Sequence, residues 1–377
     1  MSFSTLGLSE QMLQAIKYQG FEHPYPIQVQ AIPPILNGRD IVALAPTGAG
    51  KTAAYILPLL DQLQHKTYVK SRMIPVLILV PTRELALQVE AVVQLFNVFL
   101  KRDISSKAVF GGVSINPQMK NLYGTELLIA TPGRLLDLAS KKALDLSQLK
   151  YLVIDEMDKM FNLGFQEEME RILTLLPKKK QCLLFSATTD TTIDQAIASL
   201  LHQPVKLEIA PDPVAPELIT QTAYLVSQEK KGPLLRHLIT SLQWQQVLVF
   251  VSSIRAADNL ATKLNKNGIA ALALHGDKSQ GARTEALRKF KSGGLRALVA
   301  TDLAARGIDI EFLPYVVNYE LPRSPKDYVH RIGRTGRAER KGEAISLITE
   351  EDKHHFKVIQ KKMKRWVDLI DADNLEF

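Results

Sequence analysis

The chain has 377 residues, 46% of them hydrophobic and 23% charged, with a formal net charge of +8. This length exceeds what one ordinary hydrophobic core supports and predicts two domains, while the excess of basic residues favours a polyanionic partner. No run approaches the ~18 consecutive apolar residues of a membrane-spanning helix, and the first residues lack the pattern of a secretion signal, so we expect no membrane association.

Short β-branched runs alternate with helical patterns along the whole chain, which is typical of α/β proteins with parallel sheets. The runs are apolar on both faces, as strands covered by helices on both sides must be. In the first half we predict strands at Ile41–Leu44, Val76–Val80, Lys107–Phe110, Leu127–Ala130, Tyr151–Ile154 and Cys182–Phe185. In the second half we predict them at Ala223–Val226, Val247–Val251, Ala271–Leu274, Ala297–Ala300, Tyr315–Asn318 and Ala344–Leu347.

A proline-rich segment separates the two halves. Residues 209–216 read Ile-Ala-Pro-Asp-Pro-Val-Ala-Pro. Because closely spaced prolines continue neither a helix nor a central strand, this segment predicts an extended, semi-rigid linker. The predicted domains therefore span residues 1–208 and 217–377, joined by the linker 209–216.

The loop at residues 45–52 follows the first predicted strand and precedes a helical pattern, which is the context of a phosphate-binding loop. Gly48 and Gly50 allow the backbone to approach phosphate closely, and the helix N-terminus favours the anion. We expect the Lys51 ammonium on the β and γ phosphates and the Thr52 hydroxyl on Mg²⁺. The loop begins with alanine where the common pattern has glycine.

Asp155 and Glu156 directly follow the predicted strand Tyr151–Ile154. Carboxylates at the carboxyl end of a parallel strand lie where such sheets bind ligands. Asp155 is expected to bind Mg²⁺, directly or through water, and Glu156 to act as the base that orients the attacking water. The pair alone is equally typical of a helix cap; together with the phosphate loop it predicts a catalytic site.

Arg334 and Arg337 are three residues apart, so on a helical turn they would share a face. Two guanidinium groups could then stabilise the charge that develops on a γ-phosphate during transfer. A basic surface helix is the alternative. If the arginines serve the nucleotide bound by Lys51, the two halves must close on each other, as a nucleotide-operated clamp.

Taken together, these motifs resemble those of the DEAD-box RNA helicases, in that family's order and over essentially the whole chain. The resemblance rests on Phe3, Gly20-Phe21 and Pro26-Ile27-Gln28 (Q motif), residues 45–52 (motif I), Asp155–Asp158 (motif II), Ser186–Thr188 (motif III), Val249–Val251 (motif IV), Asp302 with Arg306–Asp309 (motif V) and His330–Arg337 (motif VI). It implies two tandem RecA-like domains of the P-loop NTPase class, in helicase superfamily 2.

The resemblance also implies roles for individual residues. ATP would be bound by Phe21, Gln28, Thr47, Gly48, Ala49, Gly50, Lys51, Thr52 and Asp309, with Gln28 reading the adenine and Asp309 placed at the ribose. Catalysis would rest on Lys51, Asp155, Glu156, Arg334 and Arg337, and coupling between ATP and RNA on Asp158, Ser186, Thr188 and His330. Motif II departs from the family pattern, because Met157 stands where alanine is usual. We interpret Met157 as drift compensated by its neighbours; altered coupling is the alternative.

Several short segments after predicted strands carry hydroxyls, glycine N–H groups and arginines with few aromatics, which suits contact with a sugar–phosphate backbone. Each segment alone is more typical of a turn or a helix start. The resemblance assigns RNA-backbone contact to Thr82, Arg83, Gly112, Thr131, Arg134, Arg283 and Thr301. Backbone contacts predict little sequence preference, with RNA chosen over DNA through 2′-hydroxyls and A-form shape.

We therefore expect an RNA-stimulated ATPase that uses ATP and Mg²⁺, binds RNA between two domains, and locally unwinds short duplexes or remodels RNA–protein complexes. An ATP-timed RNA clamp or annealer is the main alternative; a DNA translocase of the same superfamily is disfavoured by the Gln28 segment and by residues 131–134. The single cysteine, Cys182, lies in an apolar run and predicts a buried thiol in a reducing, cytoplasmic compartment. We expect a monomer; neither the RNA target nor protein partners are indicated.

Overall fold

The computed structural model describes residues 2–46, 48–188, 191–201, 203–209, 219–305, 313–336 and 342–372. The chain divides into two compact units, Met1–Pro211 and Asp212–Phe377. No helix in the described part of the chain is both long enough and apolar enough to cross a membrane.

The described residues of the first unit form one parallel sheet with helices on both faces. Its strands are β1 (Ile41–Leu44), β2 (Val76–Leu79), β3 (Ser106–Val109), β4 (Leu127–Ala130), β5 (Tyr151–Ile154), β6 (Gln181–Ser186) and β7 (Val205–Glu208). After a 3₁₀ turn at Phe3–Thr5, its helices are α1 (Glu10–Tyr18), α2 (Pro26–Leu36), α3 (Lys51–Leu63), α4 (Arg83–Asn97), α5 (Ile115–Lys120), α6 (Pro132–Ser140), α7 (Met157–Asn162), α8 (Gln166–Thr174) and α9 (Thr191–Leu200).

The described residues of the second unit form another parallel sheet. Its strands are β8 (Ile219–Leu225), β9 (Val247–Val251), β10 (Ala271–Leu274), β11 (Ala297–Thr301), β12 (Tyr315–Asn318), β13 (Gly342–Ile348) and β14 (Leu369–Asp371). Its helices are α10 (Lys231–Ser241), α11 (Ile254–Lys266), α12 (Gln280–Lys291), α13 (Asp302–Ala305), α14 (Pro325–Ile332) and α15 (Lys353–Met363).

Both sheets have the same topology. The strand orders are β3-β4-β2-β5-β6-β1-β7 and β10-β11-β9-β12-β13-β8-β14, and all the described pairings are parallel. Counted from the first strand of each unit, both orders read 3-4-2-5-6-1-7. Each unit therefore brings the carboxyl ends of its strands to one edge, in the same sequence of neighbours.

Alternation along the strands builds a core on each face of the first sheet. Ile41 and Ala43 of β1 pack into one hydrophobic cluster, and Val42 between them packs into the other. Strand neighbours in the centre of the sheet are in register, with Ile154 opposite Leu184 and Leu44 opposite Ser186. This register places the residues that follow β1, β5 and β6 side by side at one edge.

The α/β fold class and the parallel sheets are confirmed, and every predicted strand is present with ends shifted by a few residues at most. Two edge strands, β7 and β14, were not predicted. The backbone N–H of Ile209, the first residue of the predicted linker, donates to the carbonyl of Leu44 at 2.8 Å, so pairing with β1 extends that far. The rest of the predicted linker, residues 210–216, lies outside the described residues.

Candidate functional site

The loop between β1 and α3 has the backbone geometry of a tight glycine turn. Gly48 and Gly50 have φ angles of 80° and 82°, in the left-handed region that side chains disfavour. Lys51 begins α3 and is buried, and its Nζ donates to the carbonyl of Ala45 at 2.9 Å. An ammonium group has three protons, so this contact leaves two for an anion at the helix N-terminus. Thr47 lies outside the described residues.

The Gln28 side chain contacts the same loop. Its Oε1 accepts from the backbone N–H of Tyr25 at 3.0 Å, and its Nε2 donates to the carbonyl of Gly50 at 3.1 Å. A Cβ placed on Gly50 would lie 2.7 Å from Gln28 Nε2, so this approach requires glycine. A primary amide has two N–H donors and two acceptor lone pairs. Gln28 therefore retains one donor and one acceptor, the complement of an adenine edge.

The aromatic residues of the predicted adenine region pack with the hydrophobic cluster that contains Ile41 and Ala43. Phe21 meets Phe96 edge to face, with ring centroids 5.6 Å apart. Phe3 is buried in the same hydrophobic cluster. Both rings therefore stabilise the region that carries Gln28.

Asp155 lies directly after β5 and is buried. Its Oδ2 accepts a hydrogen bond from the Tyr55 hydroxyl at 2.8 Å, whereas no described residue hydrogen-bonds to its buried Oδ1. Burial raises the pKa of Asp155, and the nearby Lys51 ammonium opposes that rise. Burial and then the Asp155 charge raise the pKa of Tyr55 well above its usual value, so this phenol remains a donor.

Glu156 has φ 54°, an uncommon conformation for a residue that is not glycine. Strained backbone of this kind concentrates at functional sites. Its Oε1 forms an ion pair with Lys159 on the next turn of chain, and within the described ranges its buried Oε2 has no hydrogen-bond partner. Asp155 and Glu156 thus each present one oxygen that the described protein leaves unsatisfied.

Motifs II and III are in direct contact. Asp158 Oδ2 accepts from the Thr188 hydroxyl at 3.3 Å, and the backbone N–H of Asp158 donates to Ser186 Oγ at 3.4 Å. Ser186 in turn donates to the carbonyl of Thr188 at 2.7 Å. A movement of Ser186 or Thr188 at the end of β6 would therefore alter the hydrogen bonds of Asp158, which follows β5.

Met157, the departure from the family pattern, is 1% exposed. It packs into the second hydrophobic cluster of the first unit, with Met160, Met169, Ile172 and Cys182 among its members. The thioether therefore fills the core beneath the two carboxylates.

The predicted RNA residues of the first unit follow β2, β3 and β4, which are neighbours in the sheet. Thr82 caps α4, accepting from the backbone N–H of Leu85 at 3.2 Å. Gly112 has φ 81°, and a Cβ on it would lie 2.8 Å from Arg83 Nη1. Arg134 Nη2 donates to the carbonyl of Val113 at 2.7 Å. Thr131 precedes α6 and is also buried. The structure brings this set together on one half of the carboxyl edge, beside the half that carries the phosphate loop.

In the second unit, Thr301 ends β11, and Arg283 is buried on α12, the helix after the adjacent strand β10. These strands occupy the positions in their sheet that β4 and β3 occupy in the first. Arg283 and Thr301 therefore belong to the equivalents of two of the three strands that precede the RNA residues of the first unit.

The arginine-rich segment continues from helix α14 as a hydrogen-bonded turn: the backbone N–H of Arg334 donates to the carbonyl of Arg331 at 3.2 Å, and that of Thr335 to the carbonyl of Ile332 at 3.0 Å. Helix α14 contains His330 and ends at Ile332, Arg334 lies in the turn that follows, and Thr335 forms an isolated β-bridge with Leu313. The shared face expected of Arg334 and Arg337 stays a prediction. Asp309 and Arg337 lie outside the described residues.

Three residues to which the sequence assigned no role contact the acidic residues of these motifs: Tyr55 contacts Asp155, Lys159 contacts Glu156 and Arg331 contacts Asp302. Tyr55 is four residues after Lys51 and Lys159 three after Glu156, so helical spacing was an available signal for both. Arg331 is buried and forms an ion pair with Asp302, 29 residues earlier. No local pattern reveals a partner that distant.

Comparison with known proteins gives a consistent result. The DEAD/DEAH box helicase profile matches residues 25–196, and the profile of the helicase conserved C-terminal domain matches residues 230–339. The chain is 40% identical over 377 residues to the DEAD-box ATP-dependent RNA helicase CshA of Bacillus cereus, covering 100% of this chain and 70% of the relative. The ATP-dependent RNA helicase CshA of Listeria monocytogenes is 37% identical over 371 residues, covering 98% of this chain and 70% of the relative.

Solved structures with similar folds include S. cerevisiae Dbp5 bound to RNA and ADP BeF3. It is 31% identical with a TM-score of 0.85, covering 99% of this chain and 96% of that one. A DEAD box protein from Methanococcus jannaschii is 36% identical with a TM-score of 0.54, covering 98% of this chain and 99% of the other.

Proposed function

This chain belongs to the DEAD/DEAH box helicase family, and we propose that it is an ATP-dependent RNA helicase that locally unwinds short RNA duplexes or remodels RNA–protein complexes. The observation that carries the proposal is the carboxyl edge of the first sheet. A buried lysine on a glycine turn there accompanies two buried carboxylates, each with one oxygen that no described residue satisfies. Such a set suits the hydrolysis of a triphosphate.

ATP is held by the loop at residues 45–52 and by the Q motif. The N-terminus of α3 and the remaining protons of Lys51 serve the β and γ phosphates. The unused donor and acceptor of Gln28 serve the adenine, and Phe21 is proposed to pack near the base. Thr47 and Asp309 complete the nucleotide site in this proposal, Asp309 at the ribose.

Thr52 and Asp155 are the residues proposed to hold Mg²⁺, the former by its hydroxyl and the latter by Oδ1. Within the described ranges, no group of three histidine, cysteine or acidic side chains is placed to hold a metal ion. Mg²⁺ usually keeps several waters and takes one or two carboxylates and phosphate oxygens as ligands. When bound, the ion neutralises charge that develops on the transferred phosphoryl group.

Glu156 is proposed to orient the attacking water and to accept its proton through Oε2. The ion pair of Oε1 with Lys159 fixes the carboxylate while leaving Oε2 available. From the second unit, Arg334 and Arg337 are proposed to stabilise the charge formed in the transition state. Asp158, Ser186, Thr188 and His330 are proposed to couple the state of the nucleotide to RNA.

RNA is proposed to bind along the half of each carboxyl edge that lies beside the nucleotide half. Thr82, Arg83, Gly112, Thr131 and Arg134 serve in one domain, residues 1–208, and Arg283 and Thr301 in the other, residues 217–377. These groups are hydroxyls, guanidiniums and backbone amides, which contact phosphate and sugar and carry little sequence information. We propose that the protein is a monomer. We also propose a reducing, cytoplasmic compartment, which is consistent with a single, buried cysteine.

The test compares ATP hydrolysis in the presence of single-stranded RNA and of single-stranded DNA, followed by displacement of a strand from a short RNA duplex. We expect ATP hydrolysis to be stimulated by RNA but not by DNA, and we expect displacement of the strand to require ATP. The Lys51→Ala variant, purified in parallel, controls for contaminating ATPases. RNA-stimulated hydrolysis without displacement would instead indicate an RNA clamp, and equal stimulation by DNA a translocase.

A further inference from the structure

Tyr55 is fully buried in α3 and contacts the carboxylate that is central to the proposed metal site. Its hydroxyl donates to Asp155 Oδ2 at 2.8 Å. Its ring packs against Phe185 of β6, with ring centroids 5.1 Å apart. The ring contact fixes where the hydroxyl points, so the hydrogen bond is held by the core rather than by a mobile side chain.

This hydrogen bond divides the two oxygens of Asp155 between two tasks. Oδ2 is occupied by Tyr55, whereas Oδ1 is buried without a hydrogen-bond partner in the described part of the chain. A carboxylate that is bonded at one oxygen cannot rotate freely about its last bond. The other oxygen then has a defined direction before any ligand arrives.

We propose that Tyr55 is a positioning residue for the metal: by holding Asp155 Oδ2, its hydroxyl aims Oδ1 at Mg²⁺ or at a water bound to it. The inference rests on the proposed role of Asp155 as a metal-binding residue. Groups that orient a metal-binding side chain commonly contribute roughly 10–100-fold to metal affinity or activity. A purely structural hydroxyl would contribute to folding alone.

Tyr151 provides a matched control, because its hydroxyl also connects α3 with the chain of β5. It begins β5, at the end opposite Asp155, and its hydroxyl donates to Gln62 Oε1 of α3 at 2.6 Å and accepts from Lys66 Nζ at 2.7 Å. Tyr151→Phe therefore removes a hydroxyl that joins α3 to β5, as Tyr55→Phe does, but far from the carboxylates. Both substitutions keep the aromatic ring.

The experiment measures the affinity of the full chain for ADP by titration calorimetry, in Mg²⁺ and in EDTA. For Tyr55→Phe we expect unchanged affinity in EDTA, about a tenfold smaller gain from Mg²⁺, and about a tenfold higher Mg²⁺ concentration for half-maximal ATP turnover. Tyr151→Phe should behave as wild type in all three. If Tyr55→Phe folds poorly, Tyr55→Met, which also lacks the hydroxyl, replaces it.

Asp155→Asn separates failure of this inference from failure of the proposed function. If Asp155→Asn loses the gain from Mg²⁺ while Tyr55→Phe keeps it in full or binds Mg²⁺ more tightly, the positioning role is wrong and the metal role of Asp155 stands. If Asp155→Asn itself keeps the full gain, the proposed metal site is wrong. A loss in Tyr151→Phe equal to that in Tyr55→Phe would assign the effect to packing and overturn the inference.

Discussion

Arg331 and Asp302 form a two-point ion pair, with Nε 2.6 Å from Oδ1 and Nη2 2.7 Å from Oδ2. The third nitrogen of the guanidinium donates to Asn318 Oδ1 at 3.1 Å and to the carbonyl of Glu320 at 2.6 Å, and the group lies 4.9 Å from the centre of the Phe250 ring. These partners come from β9 and from the ends of the strands on either side of it, β11 and β12. Arg331 therefore joins three neighbouring strands of the second sheet.

Because Arg331 is buried among these partners, Arg331→Ala should first affect stability. Removing one partner of a buried ion pair commonly costs about 3–5 kcal/mol, and we expect the lower end because Asp302 is partly exposed. The measurement is the free energy of unfolding in urea. Arg331→Lys keeps the charge but loses the two-point geometry, so its free energy of unfolding should lie between those of wild type and Arg331→Ala. Equal unfolding free energies for wild type and Arg331→Ala would contradict this role.

Gly342 faces the end of the arginine-rich segment. A Cβ at this position would lie 1.8 Å from Thr335 Oγ1 and 2.6 Å from the backbone nitrogen of Gly336. Gly342→Ala should therefore push that segment away and destabilise the protein by about 1–3 kcal/mol, the usual cost of overpacking. The control is Gly281→Ala on α12, where nothing lies within 4 Å and the melting temperature should not fall. A Gly342→Ala variant as stable as Gly281→Ala would show that the segment moves at no cost.

Met157→Ala restores the residue that is usual in the family and removes a buried side chain. We expect a loss of about 2–5 kcal/mol in unfolding free energy, because the hydrophobic cluster beneath the carboxylates loses its thioether. RNA-stimulated ATP hydrolysis should stay within a few-fold, since Asp155, Glu156 and Asp158 keep their charges. Unaltered stability together with a large change in RNA stimulation would show that Met157 tunes coupling.

Burial raises the pKa of Cys182 from its ordinary value of 9.0 to about 11. The thiol should therefore resist a disulfide reagent at pH 8 in the folded protein and react rapidly in urea. Because the pKa of this thiol is higher in the folded protein than in the unfolded chain, the unfolded chain loses the proton first as the pH rises. Ionisation of Cys182 should therefore leave the free energy of unfolding unchanged below about pH 9 and lower it as the pH rises towards 11. Rapid, stoichiometric labelling of the native protein would contradict the burial.

Much of the fold could be predicted because its central strands are continuous apolar runs bounded by turns. β7 and β14 escaped prediction because edge strands need not be apolar on both faces: Lys206 and Glu208 are exposed, and β14 has only three residues, with Ile370 45% exposed. Pairing with a neighbour, rather than local composition, makes these segments strands.

The candidate site could be predicted where its chemistry is local in sequence, as in the loop before Lys51 and the carboxylates after β5. The shared face of Arg334 and Arg337 stays a prediction; the structure places Arg334 in the turn after α14, next to the β-bridge of Thr335 with Leu313. The carboxylate partners of Tyr55 and Arg331, which are Asp155 and Asp302, lie 100 and 29 residues away in sequence, so only the folded sheet brings them together.

We propose that ATP hydrolysis, with Glu156 as the base, sustains the repeated opening of RNA duplexes. The most direct measurement is displacement of one strand from a short RNA duplex over repeated turnovers, with ATP and Mg²⁺, for wild type and Glu156→Gln. The amide keeps the size of the side chain but cannot accept the proton from water, so we predict sustained displacement by wild type and none by the variant. Sustained displacement by Glu156→Gln, or by wild type without nucleotide, would show that hydrolysis at Glu156 does not power duplex opening.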